Sequence, residues 1–166
     1  MKITKTKLKQ IIKESLEDGY KEQLLMLFKS GNHQQAIALS KALNMPDFLV
    51  GVDLKHLSGA NLENADLSGA NLENADLNHT NLNHTNLKNA NLKNADLSGA
   101  NLAHANLSNA NLADAQLSTS PAWRANLSGA DLSRANLQSA SWASSDLSNA
   151  NLSGANLEYA RLLGTN

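Results

Sequence analysis

The sequence predicts a mainly β solenoid, residues 51–166, preceded by a small α-helical domain, residues 1–50. Two observations carry the solenoid prediction. An apolar residue recurs at every fifth position from Val52 to Leu162 without a slip, and 20 of these 23 centres are Leu. The residue two positions before each centre is small: Ala fills 17 of the 21 slots from Ala60 to Ala160.

A period of five excludes the two common regular structures. Five residues of an α-helix rotate by about 140°, so the leucines would spread around the helix axis. A flat strand has a period of two, so successive leucines would point to opposite faces. A chain that bends once per five residues buries every centre, and stacked coils would pair about 4.8 Å apart, as strands do in a sheet.

Substitutions 20 residues apart indicate that each coil has four sides. A small centre then lies one coil from a large one, and opposite charges lie one coil apart. The pairs are Ala122 with Trp142, Glu73 with Lys93, and Asp114 with Arg134.

The motif Ala60-Asn61-Leu62-Glu63-Asn64 and its tandem copies resemble the pentapeptide-repeat family, which is abundant in cyanobacteria. The resemblance implies a right-handed quadrilateral β-helix with four repeats per coil. The 23 repeats would then make nearly six coils and a rod of about 27 Å. One column of the core would contain Leu62, Leu82, Leu102, Ala122, Trp142 and Leu162.

The first fifty residues show helical spacing instead. Apolar residues from Leu8 to Leu16 suit one helix, which Asp18-Gly19 would end. Further helices are expected from Tyr20 to Lys29, with Gly31 as a C-terminal stop, and from His33 to Leu43. These helices are expected to cap the first coil, because repeat arrays need covered ends. A docking role for the helix pair is compatible with capping.

Composition excludes several classes of function. The chain has no Cys, so disulfides and thiolate sites are impossible. The N-terminus lacks an apolar signal region and no long apolar run exists, so neither a signal peptide nor a membrane span is expected, and the expected address is the cytoplasm. Most Asp residues replace Asn at one repeat position, and no catalytic or phosphate-binding motif is present. The sequence therefore predicts no enzyme, cofactor or nucleic-acid partner.

In the four-sided arrangement, His84, His104 and Arg124 form an outward column on successive coils. Two imidazoles about 5 Å apart are candidates for weak binding of a metal such as zinc or nickel. The alternative is that both histidines are solvated surface residues, since His84 lies in a duplicated repeat.

Pro121, Trp123 and Arg124 lie where several repeat positions change together. Pro121 cannot donate a ladder hydrogen bond, and Trp123 takes an outward slot between Ala103 and Ala143. Because Trp and Arg are enriched among interface hot spots, these three residues are candidates for protein interaction. The alternative is that Trp123 folds down to cover a gap left by Ala122.

The leading functional interpretation is a non-enzymatic protein-interaction or scaffold module with an unknown partner. The family resemblance adds a second, a DNA-like mimic that binds a topoisomerase. Duplex DNA carries about 16 charges over about 27 Å, whereas residues 51–166 hold ten acidic against six basic residues, which disfavours mimicry. A third is a homodimer through the last coil, where Leu157, Leu162 and Leu163 lie near an end without a visible cap.

Overall fold

The computed structural model describes residues 19–42 and 56–165. The chain divides into two compact units, Met1–Phe48 and Leu49–Asn166. In the first unit, residues 19–29 are helical (α1) and a second helix, α2, runs from His33–Ala42. The predicted helix around Leu8 to Leu16 lies outside the described residues. Gly19, the first described residue, is helical, and Asp18 of the predicted break lies outside the described residues as well.

The connection between α1 and α2 ends the first helix through a left-handed glycine. Gly31 has a φ of 85° and donates to the carbonyl of Phe28, while Asn32 donates to Leu27. Both bonds supply donors for carbonyls that the helix end would leave unpaired. The Phe28 and His33 rings then meet edge to face, with centroids 4.7 Å apart. Burial lowers the pKa of His33 below its ordinary value.

The second unit is a stack of 20-residue coils. Parallel bridges join residue i to residue i+20, as at Asn61 with Asn81 and at Asn91 with Asn111. Each side of a coil contributes one bridging residue, so the described part of the solenoid has no longer strand. The spacing of 20 confirms that four five-residue repeats make one coil.

Every repeat ends in the same turn. The amide of Ala60 donates to the carbonyl of Leu57, and the third residue of the turn, Gly59, has a φ of 66°. The pattern is that of a type II β-turn, and it recurs with positive φ up to Gly164. The side chain before each centre locks the turn: Asp66 Oδ1 accepts from the amide of Ser68 at 3.0 Å. This bond explains the preference for Asn or Asp in that slot.

Five of the six centres predicted to share one column lie in the interior. Leu62, Leu82, Leu102, Ala122 and Trp142 are all fully buried. The prediction was wrong for Leu162, which is half-buried because it lies in the last described coil, with no further described coil stacked on it.

The pairing of a small centre with a large one is also confirmed. The Trp142 indole reaches back toward the preceding coil, where its Nε1 donates to Ser120 Oγ at 3.4 Å. The space beside Ala122 is therefore used inside the core by Trp142.

Of the two cross-coil pairs of opposite charge, one forms an ion pair in the structure and the other does not. Arg134 donates two hydrogen bonds of 2.7 Å to the Asp114 carboxylate, as predicted. Glu73 and Lys93 lie one coil apart, as the register predicts, but no ion pair joins them in the described coils, and Glu73 accepts from the Asn91 amide at 3.2 Å instead. The predicted asparagine ladder is present, with Asn111 donating to Asn91 at 3.3 Å.

Candidate functional site

The irregular repeat lies on one edge of the solenoid, which we call the tryptophan corner. The name denotes the two turn residues that follow each centre of the Leu82, Leu102, Ala122 and Trp142 column. These residues are Asn83, His84, Ala103, His104, Trp123, Arg124, Ala143 and Ser144. Regular 20-residue stacking brings residues from four separate repeats into two adjacent outward columns.

Trp123 points outward and is 53% exposed. Its neighbours in the column, Ala103 and Ala143, are too small to cover the two faces of the indole. Because Trp142 occupies the interior beside Ala122, Trp123 does not fill that gap. An indole this exposed, within a wall otherwise built of short side chains, is the largest apolar projection of the described coils between residues 56 and 145.

Pro121 interrupts the hydrogen-bond ladder beside this tryptophan. Bridges at spacing 20 link the equivalent positions throughout the described coils except between Asn101 and Pro121. Elsewhere an amide such as that of Asn126 donates back to Ala105, but Pro121 has no N–H to offer Ala100. Its carbonyl still accepts from Leu102 at 2.7 Å, so one half of the pairing survives.

The two histidines stack face to face. The His84 and His104 ring centroids are 4.7 Å apart with planes 8° from parallel. Parallel imidazoles point their nitrogen lone pairs in parallel directions, whereas tetrahedral zinc requires lone pairs that converge on one point. Among the described residues no cluster of three or more His, Asp, Glu or Cys side chains surrounds a metal-sized space. The geometry thus argues against these histidines as metal ligands.

The aromatic column continues from the histidines to the tryptophan. The His104 ring lies 6.5 Å from the Trp123 ring, tilted by 56°. His104 is half-buried between His84 and Trp123, while His84 and Arg124 are exposed. The sequence analysis placed the two histidines and Trp123 on the same edge of the solenoid but did not predict a contact between them. Register places position 123 one coil above 103 and beside 104, and the side-chain rotamers bring the two rings together.

Two shallow depressions flank Trp123. The larger, of about 410 Å³, lies toward the preceding coils and is lined by Trp123 with Asn83, His84, Asn101, Ala103, His104 and Pro121. The smaller, of about 290 Å³, lies toward the following coil and is lined by Trp123 with Arg124, Ser141, Ala143 and Ser144. Both are open surfaces rather than enclosed cavities, which suits contact with a macromolecule better than catalysis.

Polar groups at the corner differ from those elsewhere. Asn83 Oδ1 is buried and accepts no hydrogen bond within the described chain. Arg124 forms no ion pair among the described residues, whereas Arg134, at the same turn position of another corner, is held by Asp114. That hydrogen-bonded pair lowers the pKa of Asp114 and raises the pKa of Arg134.

The pentapeptide-repeat family model, described as pentapeptide repeats, matches this chain in 8 copies at residues 56–94, 85–120 and 125–164. These matches span more than half of the chain, which therefore belongs to the pentapeptide-repeat family. The residues between the second and third matches are 121–124, so the family pattern lapses at Pro121 to Arg124. No curated protein sequence matches the chain significantly.

Two solved structures share the fold. HetL, a pentapeptide-repeat protein involved in regulating heterocyst differentiation in the cyanobacterium Nostoc sp. strain PCC 7120, is 33% identical with a TM-score of 0.56. The similarity covers 69% of this chain and only 62% of HetL. Rfr23, from the cyanobacterium Cyanothece 51142, is 33% identical with a TM-score of 0.51, over 67% of this chain and 86% of that one. No helix among the described residues is long and apolar enough to cross a membrane.

Proposed function

We propose that this chain is a non-enzymatic protein-interaction module and that the tryptophan corner is its contact surface. The observation that carries the proposal is the exposure of Trp123, 53%, on an edge where a shallow depression lies on each side of the ring, beside Ala103 and beside Ala143. An exposed Trp beside an Arg is the composition of an interface hot spot. The lapse of the family pattern at residues 121–124 supports the same location.

Quantitative affinity capture from lysate of the source organism tests the proposal. The wild-type chain is compared with a Trp123→Ala/Arg124→Glu double variant. The matched control is Ser133→Ala/Arg134→Glu, which changes the same two turn positions of another corner. We expect a partner that the wild type and the control retain and the double variant loses. Retention by the double variant would shift the contact surface away from this corner, and no captured partner at all would contradict an interaction module.

Binding to a topoisomerase as a DNA-like mimic is the weaker alternative. Its charge requirement of about 16 is far from the net charge of −4 over residues 51–166. The bases Lys88, Lys93, Arg124 and Arg134 interrupt the acids. A supercoiling assay without inhibition at tens of micromolar would exclude it.

Self-association through the last coil is a second candidate. Leu157 is 38% exposed and Leu163 81%, whereas the equivalent centre Leu137 is fully buried. A second copy stacked on this coil would bury both side chains. Light scattering that gives a dimer mass for wild type and a monomer mass for Leu163→Glu supports it, and a monomer at high concentration contradicts it.

Three finer expectations belong to the same proposal. The right-handed sense of the coils and the capping of the first coil by the helices are drawn from the family resemblance and from the needs of a repeat array. The cytoplasmic address carries over from the expectation drawn from the sequence. A crystal structure and fractionation of the source cell test them.

A further inference from the structure

We infer that the tryptophan corner binds an extended acidic polypeptide segment, with apolar side chains on both sides of Trp123 and a carboxylate against Arg124. The inference rests on the proposed interaction function and adds the chemistry of the partner. It depends on three features of the corner: its lack of acidic side chains, the lack of an ion-pair partner for Arg124 in the described chain, and the spacing of its two depressions.

The corner is free of acidic side chains. Its turn residues from Asn83 to Ser144 include no Asp or Glu, and neither do the side positions Asn101, Pro121 and Ser141. The other corners and sides of the described coils carry acids, such as Asp96, Asp114 and Asp146. Within these four turns an acidic segment meets no like charge, and the nearest acid of the same column is Glu63, one coil before Asn83. The acids of the other corners and sides would repel such a segment, which favours docking at the tryptophan corner.

Arg124 is available for a new ion pair. It is exposed and has no acidic partner in the described chain, whereas the Arg134 guanidinium already uses two donors on Asp114. A guanidinium that has no partner donates two parallel hydrogen bonds to a carboxylate. A backbone φ of 57° holds Arg124 in the left-handed region next to the ring of Trp123, so cation and apolar anchor are adjacent.

The two depressions suit an extended segment. Their floors, Ala103 and Ala143, are two coils apart, or about 9.6 Å at the usual strand spacing. Side chains three residues apart in a polyproline-II segment are separated by about 9.3 Å. Apolar side chains with this spacing would straddle Trp123, and the acidic residues between them would lie near Arg124.

A single-stranded nucleic acid fits less well. Arginine also binds phosphate and bases also stack on tryptophan. A nucleic-acid backbone presents a charge at every nucleotide, however, and Arg124 is the one formal cation among the eight turn residues that define the tryptophan corner. The corner lacks the run of basic residues that such binding requires.

Two-dimensional NMR of the full chain tests the inference. The chain has two tryptophans and hence two indole N–H signals. Trp142 is buried and bonded to Ser120, so its signal is an internal control for Trp123. The probes are short blocked peptides with repeats of leucine-glutamate-glutamate, leucine-lysine-lysine and serine-glutamate-glutamate, together with a thymidine oligonucleotide.

We expect the leucine-glutamate peptide to shift the Trp123 signal and leave that of Trp142 in place. The lysine and serine peptides should shift it less, and added salt should weaken the effect. Arg124→Asn should weaken binding about two- to fivefold. It should preserve the fold, because Asn is common at this left-handed position. Arg134→Asn, at the same position of another corner, should change nothing.

Three results would overturn the inference. An equal shift with the lysine peptide would leave an apolar docking site without acid preference, and the proposed interaction function would survive. A larger shift with the oligonucleotide would assign the corner to nucleic acid. No shift with any probe at millimolar concentration would remove the peptide site, while affinity capture with the double variant would still judge the interaction function separately.

Discussion

Two corners of the same coil show how identical turns produce different surfaces. The corner two repeats away from the tryptophan corner consists of the turn residues after Leu72, Leu92, Leu112 and Leu132. Side chains in its column bond to one another from coil to coil. Asn94 donates to Asn74 at 3.2 Å, and Arg134 binds Asp114 through two hydrogen bonds. In the tryptophan corner the corresponding column consists of stacked imidazoles and an arginine without an acidic partner.

The difference indicates that outward side chains of a regular corner already bond to side chains one coil away and so are not available to a ligand. Where each outward side chain finds its partner one coil away, a ligand must compete with a bond that already exists. Pro121 removes one ladder donor, and the alanines beside Trp123 remove the side chains that would cover it. Both changes leave groups that no neighbouring coil satisfies, which makes this corner the candidate for recognition.

The largest expected effect tests the cooperativity of the regular stack. Leu107→Asp places a carboxylate at a fully buried centre and should destabilise the chain by more than about 4 kcal/mol. We expect loss of the β circular dichroism signal at room temperature. Leu163→Asp, at a position that is 81% exposed, is the control and should remain folded. Folding of both variants would show that the coils do not depend on their neighbours.

The two tryptophans, one inside and one outside the same pair of coils, provide the next test. Trp142→Ala should lower the free energy of unfolding by about 3–5 kcal/mol, because it opens a cavity above Ala122. Trp123→Ala should change it by no more than about 0.5 kcal/mol, as expected for a surface residue. Urea titrations measure both. A large loss for Trp123→Ala would mean that the tryptophan serves the fold rather than recognition.

Two glycine substitutions separate two contributions to the free energy of unfolding, namely the positive φ of the turn and the packing between coils. Gly59→Ala meets no atom within 4 Å, so only the φ of 66° opposes it, at about 1–2 kcal/mol. At Gly99, φ 67°, a new Cβ would lie 2.6 Å from Nδ1 of His79. Gly99→Ala should therefore be the more destabilising of the two in urea titration. Equal losses would show that the His79 ring moves aside freely.

The smallest expected effect concerns the stability of the fold at acidic pH. A hydrogen bond from the Ser133 amide lowers the pKa of Asp131, and one from the Ser148 amide lowers the pKa of Asp146. Because the folded pKa lies below the unfolded value of about 3.9, these groups stabilise the fold above that pH. The contribution is lost as pH falls through the folded pKa.

The double variant Asp131→Asn/Asp146→Asn keeps the side-chain oxygens that accept hydrogen bonds from the Ser133 and Ser148 amides. Its amide side chains cannot titrate. The denaturation midpoint of this variant should fall less between pH 5 and pH 2 than that of the wild type. Identical acid profiles in urea melts at each pH would contradict the assigned role of these carboxylates.

The regular part of the fold could be predicted because every contact in it repeats. A period of five with 20-residue correlations specifies the centres, the turns and the asparagine ladder. The charge pair of Asp114 and Arg134 and the packing of Trp142 beside Ala122 follow from the same register. Such interactions lie at fixed sequence separation, so a linear pattern is enough to find them.

The candidate site needed coordinates at several points. The sequence alone determined that Pro121, Trp123, Arg124 and the two histidines share one edge, because register fixes the column of each residue. Only the tertiary structure decided that Trp123 stands outward, that His104 meets its ring, and that Glu73 chooses Asn91 over Lys93. Surface side chains select among partners of nearly equal free energy, and the selection depends on rotamers and local packing that no sequence period encodes.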